Sequence, residues 1–354
     1  MTLTHLNIHQ LRNIHLAQIT LNPRYNIFHG LNGSGKTSIL EAIYLLSSGH
    51  SFRTRETSPL ITHHSTELTV YARTTANDSI SIQKSNSGST QVKINQQACL
   101  RSSELAHFLP CQLIYQDIFQ IMDAGPAVRR SMLDWGLFHV KQSYHTLWKE
   151  YRHVLKQRNA LLRQRTNEQQ CIPWNKLIVD MSYELDRLRV EYFKDWSEAF
   201  QLYLSQLTEI PCTISYYKGW DKKETGRSLA TILTEQYMSD CHRQYTHSGA
   251  HQADILFNST LLKAKQTLSR GQQKIILIAL KLAQAQLLST PCLYLFDDIT
   301  TELDAMHVKR LIKCICQLKG QFFLTTIDGS QFSTQHPLDH ASIFMLENGR
   351  LSSP

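Results

Sequence analysis

Eight consecutive residues, Gly30-Leu31-Asn32-Gly33-Ser34-Gly35-Lys36-Thr37, fit the pattern G-x-x-x-x-G-K-[ST] of a phosphate-binding loop. The glycines let backbone N–H groups turn inward around a phosphate with no Cβ in the way. A helix opening at the end of the loop adds the positive end of its dipole. Lys36 would then reach the β- and γ-phosphates of a nucleotide, and the Thr37 hydroxyl would ligate Mg²⁺. Far downstream, Leu293-Tyr294-Leu295-Phe296 is an apolar run that ends in Asp297-Asp298. Asp297 is placed to hold Mg²⁺ directly or through water, and Asp298 to act as general base on an attacking water. Two adjacent Asp residues also commonly open a turn. It is their position after a strand, downstream of the phosphate loop, that makes them candidates.

The elements that must carry these residues can be read from periodicity. Residues 1–28 read as two strands, with Leu3, Leu6, Ile8 and Leu11 as the first apolar set and Tyr25-Asn26-Ile27-Phe28 leading into Gly30. A helix is expected over Lys36–Ser47, with Ile39, Leu40, Ile43 and Leu46 on one face. Alternation from Leu68 to Ile94 predicts an antiparallel β-layer, and Leu113-Ile114-Tyr115 a short buried strand. After Gly125-Pro126 helix formers dominate, and the pattern predicts two long helices broken near Cys171-Ile172-Pro173. A strand Cys212–Tyr217, a helix Ser228–Cys241 and a strand near Ile255 follow. Then come a helix from Ser269, a strand Cys292–Phe296, a helix His307–Leu318, a strand Gln321–Thr325 and a terminal hairpin turning at Asn348-Gly349. The expected architecture is α/β, with the head in two parts, 1–118 and 247–354, separated by a helical arm insert over 119–246.

Composition removes several classes. At 354 residues the chain has room for about two domains. Its 42% hydrophobic and 19% charged residues are globular values. No apolar stretch approaches the roughly 18 residues of a membrane helix, and the N-terminus has no apolar signal core, so a cytoplasmic protein with no membrane partner is expected. None of the eight cysteines forms a C-x-x-C pair, so zinc ribbons and dithiol redox motifs have no support. The 17 histidines are scattered, and the one adjacent pair, His63-His64, has no third ligand nearby.

Leu268-Ser269-Arg270-Gly271-Gln272 precedes the helical run of Ile275, Ile278, Leu282 and Ala285. Ser269 suits an N-cap and nothing more is required of it locally. In company with the phosphate loop, the Asp pair and Thr301-Glu302-Leu303-Asp304, however, the order resembles an ABC-type ATPase. That resemblance implies that Ser269, Gly271 and Gln272 form the signature that meets the γ-phosphate held by a second subunit. It further implies that Asp304 belongs to the D-loop and that ATP joins two heads which hydrolysis parts.

Within that superfamily the residues Thr325-Thr326-Ile327-Asp328 lack the switch histidine of transporter heads, and Asp298 stands where Glu is usual. This is similar to the branch containing SMC proteins, RecN and RecF, an ABC/Rad50-like ATPase head. The insert is too short for a long coiled coil: helices of 30–40 residues reach roughly 60 Å at 1.5 Å per residue. Arg12-Asn13, the stretch Asn32–Tyr44, Gly49-His50-Ser51-Phe52-Arg53, Arg129-Arg130 with Leu133-Asp134, Leu155–Leu162 and Leu268–Gln272 resemble the RecF family over essentially the whole chain. The resemblance implies that Arg12 and Asn13 belong to the nucleotide site, and that Gln116 is a Q-loop residue at the metal. Gly249-Ala250-His251-Gln252 departs from a family Gly-Pro-His-basic segment, and Thr301 replaces the D-loop's usual Ser or Ala. Further implications are ATP and Mg²⁺ as cofactors, weak DNA-dependent ATPase activity, and partners RecR, RecO and, indirectly, RecA. The role implied lies in recombinational repair, replication restart and the SOS response.

Residues 126–166 hold nine Lys or Arg (129, 130, 141, 149, 152, 156, 158, 163 and 165) against Asp134 and Glu150, a net +7 of the chain's +8. Such a concentration suits the phosphates of DNA (single-stranded, gapped or junction duplex), with recognition of form rather than sequence. A solvated helix face is the plain alternative. A transporter energising subunit and a scaffold that binds ATP without turning it over remain the other readings.

Overall fold

The computed structural model describes residues 2–164, 167–258, 268–329, 338 and 340–352. Two compact units form. The first comprises Met1–Ile118, Gln206–Thr208 and Leu288–Pro354, the second Phe119–Ser205 and Glu209–Leu287.

In the first unit the hydrophobic alternation at the N-terminus yields β1 (Leu3–Leu11) and β2 (Ile14–Thr20), an antiparallel pair turning at Arg12-Asn13, and then β3 (Tyr25–His29). Three strands therefore stand where two were expected. The turn at 12–13 contains no glycine or proline, and Arg12 enters it at φ 55°, a conformation that sequence patterns do not signal. Helix α1 (Lys36–Ser48) follows, closed at its end by Gly49 in the left-handed conformation. The predicted β-layer is present as β4 (Glu67–Thr74), β5 (Ser79–Ser85), β6 (Thr90–Ile94) and the short β7 (Gln97–Ala98). With the first hairpin it makes a six-stranded antiparallel sheet in the order β2-β1-β4-β5-β6-β7. After α2 (Ser102–Phe108) comes β8 (Cys111–Ile114).

The remaining head strands are β11 (Cys292–Phe296), β12 (Gly320–Thr326), β13 (Ser342–Glu347) and β14 (Arg350–Ser352). They build a second sheet in the order β14-β13-β3-β12-β11-β8, parallel throughout except for the terminal hairpin. Burial on both faces explains why β11 is a continuous apolar run rather than an alternating one. One core cluster lies between the sheets and around α1, including Leu6, Ile8, Phe28, Ile39, Ile43, Val70, Leu295 and Phe323. A buried amide ties the layers: Gln321 on β12 accepts from the Leu3 N–H and donates to the Leu3 carbonyl, both at 2.8 Å.

The second unit is mainly helical. It contains α3 (Gln120–Asp123), α4 (Pro126–Val140), α5 (Gln142–Gln164) and α6 (Glu168–Leu207), then β9 (Thr213–Tyr217), α7 (Leu229–Glu235), α8 (Tyr237–Arg243), β10 (Asp254–Asn258) and α9 (Arg270–Gln286). The last helix of the chain, α10 (Ala305–Gln317), is in the first unit. The two long helices expected here are three. The chain breaks at Lys141 and between α5 and α6, while Pro173 lies inside α6. As the sixth residue of that helix it deletes one backbone hydrogen bond near the end, a smaller loss than a mid-helix proline causes. The single helix expected over Ser228–Cys241 is two, parted at Gln236.

The division at 247 also differs from the compact units. β10 pairs antiparallel with β9, and α9 belongs with the helices: Trp196 Nε1 donates to the Leu280 carbonyl at 3.1 Å, and Gln284 Nε2 to the Met132 carbonyl at 2.7 Å. Residues 247–258 and 268–287 therefore pack with the helical unit, and the first unit resumes at Leu288.

Helices α5 and α6 run antiparallel, because Lys141 meets Glu191, Tyr144 meets Arg189 and Arg158 meets Asn175. Two fully buried guanidinium groups hold them. Arg158 donates to Asp240 Oδ2 and Thr246 Oγ1, both at 2.7 Å, and to Asn175 Oδ1 at 2.6 Å. Arg189 donates to Asp134 Oδ1 at 2.9 Å, Tyr144 Oη at 3.0 Å and the Ala250 carbonyl at 2.6 Å. Removing one partner of a buried pair leaves the other charge unsolvated. Arg158→Met should therefore destabilise the second unit by about 3–5 kcal/mol, and Arg158→Met with Asp240→Leu should recover most of that. Urea denaturation of the three proteins checks this; equal stability for the single and double variants contradicts it.

Candidate functional site

The nucleotide-type residues of the first unit meet at the carboxyl ends of three adjacent strands. β3 delivers the phosphate loop, β12 delivers Thr325 and β11 delivers Asp297 and Asp298. Thr37, the second residue of α1, donates its hydroxyl to Asp297, with Oγ1 at 3.0 Å and 3.1 Å from the two carboxylate oxygens. Thr325 Oγ1 donates to Asp297 Oδ1 at 2.8 Å and accepts from the Asp298 N–H at 2.7 Å. One hydroxyl on β12 thus fixes both members of the Asp pair. Asp298 sits at φ 46°, in the left-handed region that Asp tolerates better than most residues.

The loop itself is folded around Lys36, whose ammonium donates to the Gly30 carbonyl at 2.8 Å and the Leu31 carbonyl at 3.1 Å. Gly30 admits no side chain, since a Cβ there would lie 2.3 Å from the Leu346 carbonyl oxygen. Gly33 and Gly35 have φ 82° and 114°. Ser34 Oγ is buried and has no hydrogen-bond partner among the described residues. An orphaned hydroxyl, a lysine and a glycine-lined cradle at the start of a helix fit a polyphosphate. The Thr37 hydroxyl and the Asp297 carboxylate are the hard oxygen donors that Mg²⁺ takes. Asp297's pKa is raised by burial, and the neighbouring Asp298 charge adds to this, while hydrogen bonds from Thr325 and Thr37 and the charge of Lys36 oppose it.

Arg12 and Asn13 are placed beside the loop as braces. The Arg12 guanidinium forks onto the buried Glu41 carboxylate on α1, both N···O distances being 2.9 Å, and also donates to the Pro59 carbonyl. Asn13 Nδ2 donates to the Gly33 carbonyl at 2.9 Å, and its Oδ1 accepts from Ser38 at 3.2 Å. Ser51 also donates to Glu41, which anchors the Gly49–Arg53 segment, and Phe52 packs between Tyr44 and Tyr115. Leu31 and Asn32 are exposed at the tip of the loop. Gln116 is exposed two residues past β8, next to the point where the Asp297 N–H donates to the Ile114 carbonyl at 2.9 Å. Asp304 caps α10, accepting from the His307 N–H at 2.8 Å, and these bonds lower its pKa.

Ser269, Gly271 and Gln272 belong to the second unit. There they form a helix start closed by a capping box, in which Ser269 Oγ accepts from the Gln272 N–H and Gln272 Oε1 accepts from the Ser269 N–H. Arg270 is held against Phe119 and Asp123.

The basic segment is of two kinds. Arg129 pairs with Asp254, Arg130 donates to the Ala253 carbonyl, Lys141 meets Glu191 and Arg158 is buried. Those four serve the fold. Lys149, Arg152, Lys156 and Arg163 are exposed on α5 at spacings that place them on one face, and Arg165 lies outside the described residues.

Sequence reasoning assigned no role to two residues, Thr325 in the first unit and His251 in the second. Thr325 was visible as a hydroxyl after the apolar run Phe322-Phe323-Leu324. His251 was visible only as part of an altered motif. Its Nε2 faces the Thr246 carbonyl at 2.9 Å and so carries the proton, leaving Nδ1 to accept from Tyr151 Oη at 2.7 Å. Burial lowers its pKa to about 4, so it stays neutral and joins α5 to the Gly249–Asp254 segment.

A glycine-rich loop after β3 and an Asp pair after β11, beside a mixed α/β head of two sheets, fit an ATPase head of the ABC/Rad50 type. Residues 2–352 match the family described as RecF/RecN/SMC N terminal domain. The chain is 36% identical over 361 residues to the DNA replication and repair protein RecF of Aliivibrio fischeri (strain MJ11), with 99% of each covered. It is 34% identical over 366 residues to that of Pseudomonas syringae pv. syringae (strain B728a), covering 99% of this chain and 98% of the relative. In fold it is similar to a solved structure of the recombination mediator protein RecF-ATP in the RecFOR pathway, with TM-score 0.83, 21% identity, and 100% and 97% of the two chains covered. It is also similar to an SmcHead bound to the C-winged helix domain of ScpA, with TM-score 0.64. The chain belongs to the RecF family.

The raised pKa of Asp297 has a consequence for stability. A carboxyl that binds its proton more tightly when folded contributes stability at low pH, and loses it as pH rises through the folded value. At neutral pH the charged group therefore weakens the fold. Asp297→Asn should raise the melting temperature without nucleotide at pH 7–8, with the gain vanishing as pH falls below the ordinary carboxylate range. A melting series across pH checks this, and an unchanged or lowered value at neutral pH contradicts it.

Proposed function

We propose that this chain is an ATP-dependent DNA-binding protein of recombinational repair and replication restart. The observation that carries the reading is the convergence of Lys36, Thr37 and Asp297 at one sheet end, with Thr325 holding the Asp pair. The names of the family relatives support the repair role.

In this reading Lys36 and the loop N–H groups bind the phosphates, and Thr37 and Asp297 hold Mg²⁺. When bound, the ion supplies charge that offsets the charge developing on the phosphoryl oxygens. Asp298 accepts a proton from the attacking water. Gln116 sits at the metal side. Ser269, Gly271 and Gln272 of one copy face the nucleotide of another, whose Asp304 lies at the same junction, so that ATP closes a homodimer and hydrolysis opens it. The face of Lys149, Arg152, Lys156 and Arg163 binds DNA phosphates, at gaps or single-strand/duplex junctions. RecR and RecO are the expected partners, RecA loading and SOS induction the downstream outcome, and the cytoplasm the setting. Turnover is slow and DNA-dependent.

Fluorescence anisotropy on a gapped duplex tests this. Tight binding should require ATP and Mg²⁺, and Lys36→Ala should lose nucleotide and tight DNA binding together. Asp298→Asn should bind ATP and DNA but release DNA slowly, because hydrolysis fails. Replacing the four exposed basic residues with Gln should flatten the salt dependence by about 0.9 for each phosphate that is no longer neutralised. ATP-independent binding with an unchanged salt slope contradicts the reading.

A further inference from the structure

We infer that the C-terminal hairpin is a positioning part of the phosphate site, acting through Gly349; this rests on the ATP-binding reading above. The turn between β13 and β14 is Asn348-Gly349, at φ 49° and 77°. The Gly349 N–H donates to the Ser34 carbonyl at 2.8 Å, reaching across the chain into the middle of the phosphate loop. A trans peptide points its C=O and its N–H in opposite directions. Holding the Ser34 carbonyl on the hairpin side therefore directs the following N–H, that of Gly35, to the other side of the loop. Asn13 does the same from the first hairpin by donating to the Gly33 carbonyl at 2.9 Å. Two consecutive loop carbonyls are thus pinned from outside by two different turns.

The hairpin is also packed closely enough to define the loop's shape. The Leu346 carbonyl on β13 occupies the space a Cβ on Gly30 would need, and the Leu346 side chain lies 3.5 Å from the corresponding point on Gly35. Gly349 is itself irreplaceable on two counts. Its φ favours glycine, and a Cβ there would fall 1.9 Å from the Asn13 carbonyl oxygen. Any side chain at 349 must therefore move the turn, releasing Ser34 and disturbing the Asn13 brace together. Neither Leu346 nor Gly349 belongs to a nucleotide motif, and Gly349 is more than 300 positions from the loop it orients.

The experiment compares the wild type and Gly349→Ala by titration with a fluorescent ATP analogue, alongside melting without nucleotide. A second arm follows hydrogen exchange of the wild-type 345–352 segment with and without a slowly hydrolysed ATP analogue. The expected results are affinity weakened about tenfold or more in the variant, at a melting temperature that shows a folded protein. In the wild type, protection of 345–352 should increase when nucleotide binds. Equal affinities in the two proteins overturn the inference while leaving the ATP site standing. A wild type that binds no ATP overturns the underlying reading and the inference with it. Should the variant fail to fold, exchange decides: protection gained on nucleotide binding supports the inference, and unchanged exchange overturns it.

Discussion

A carboxylate drawn out of water and held by two threonine hydroxyls is the constraint around which the first unit is arranged. Asp297 can stay charged there only because Thr37 and Thr325 donate to it and Lys36 lies near. That requirement fixes neighbours. The strand carrying the phosphate loop and the strand carrying the Asp pair must flank a third that offers a hydroxyl at the right height. The sheet order β3-β12-β11 meets the condition, with Thr325 one residue from the end of the middle strand. Unfavourable charge burial is therefore concentrated at the carboxyl ends of these strands.

The second unit follows a related rule with a different outcome. Arg158 and Arg189 are wholly buried, yet each is held by carboxylate, hydroxyl or carbonyl acceptors drawn from several elements. Buried ion pairs are a poor source of net stability but a strict one of geometry, since misplacement leaves a charge uncompensated. Here they set how α4, α5 and α6 meet the Gly249–Asp254 segment. His251 completes the set as a neutral linker. The exposed basic residues of α5 are left to face solvent.

Much of the candidate site's geometry was legible because it depends on local sequence. A glycine-rich turn, a lysine and a hydroxyl in eight consecutive residues build a phosphate cradle wherever a strand precedes and a helix follows. Asp297-Asp298 at the end of an apolar run is nearly as local. Thr325 was harder, because its role exists only once β12 lies between β3 and β11. Arg12 and Asn13 were associated with the site from resemblance, and they turn out to brace the loop and α1. The helix breaks were misplaced for the opposite reason: Pro173 is a strong local breaker, but near a helix start it costs little. The true breaks at Lys141 and after α5 have no such residue.

Fold class, most strands and helices of the first unit and the family were all written in local pattern. They depend on periodicity and on spacings of a few residues, where chain connectivity does the positioning. Only the folded chain separates the arm cations that are exposed from those consumed by the fold, since Arg158 and Arg152 differ in which face of α5 they occupy. Folding likewise assigns β10 and α9 to the helical unit, because they find their partners in β9, α4 and α6. Finally, it places the turn at Gly349 against Ser34. A hydrogen bond between residues 315 positions apart leaves no trace in local pattern, and is created only when two sheet strands, β13 and β3, come to lie side by side.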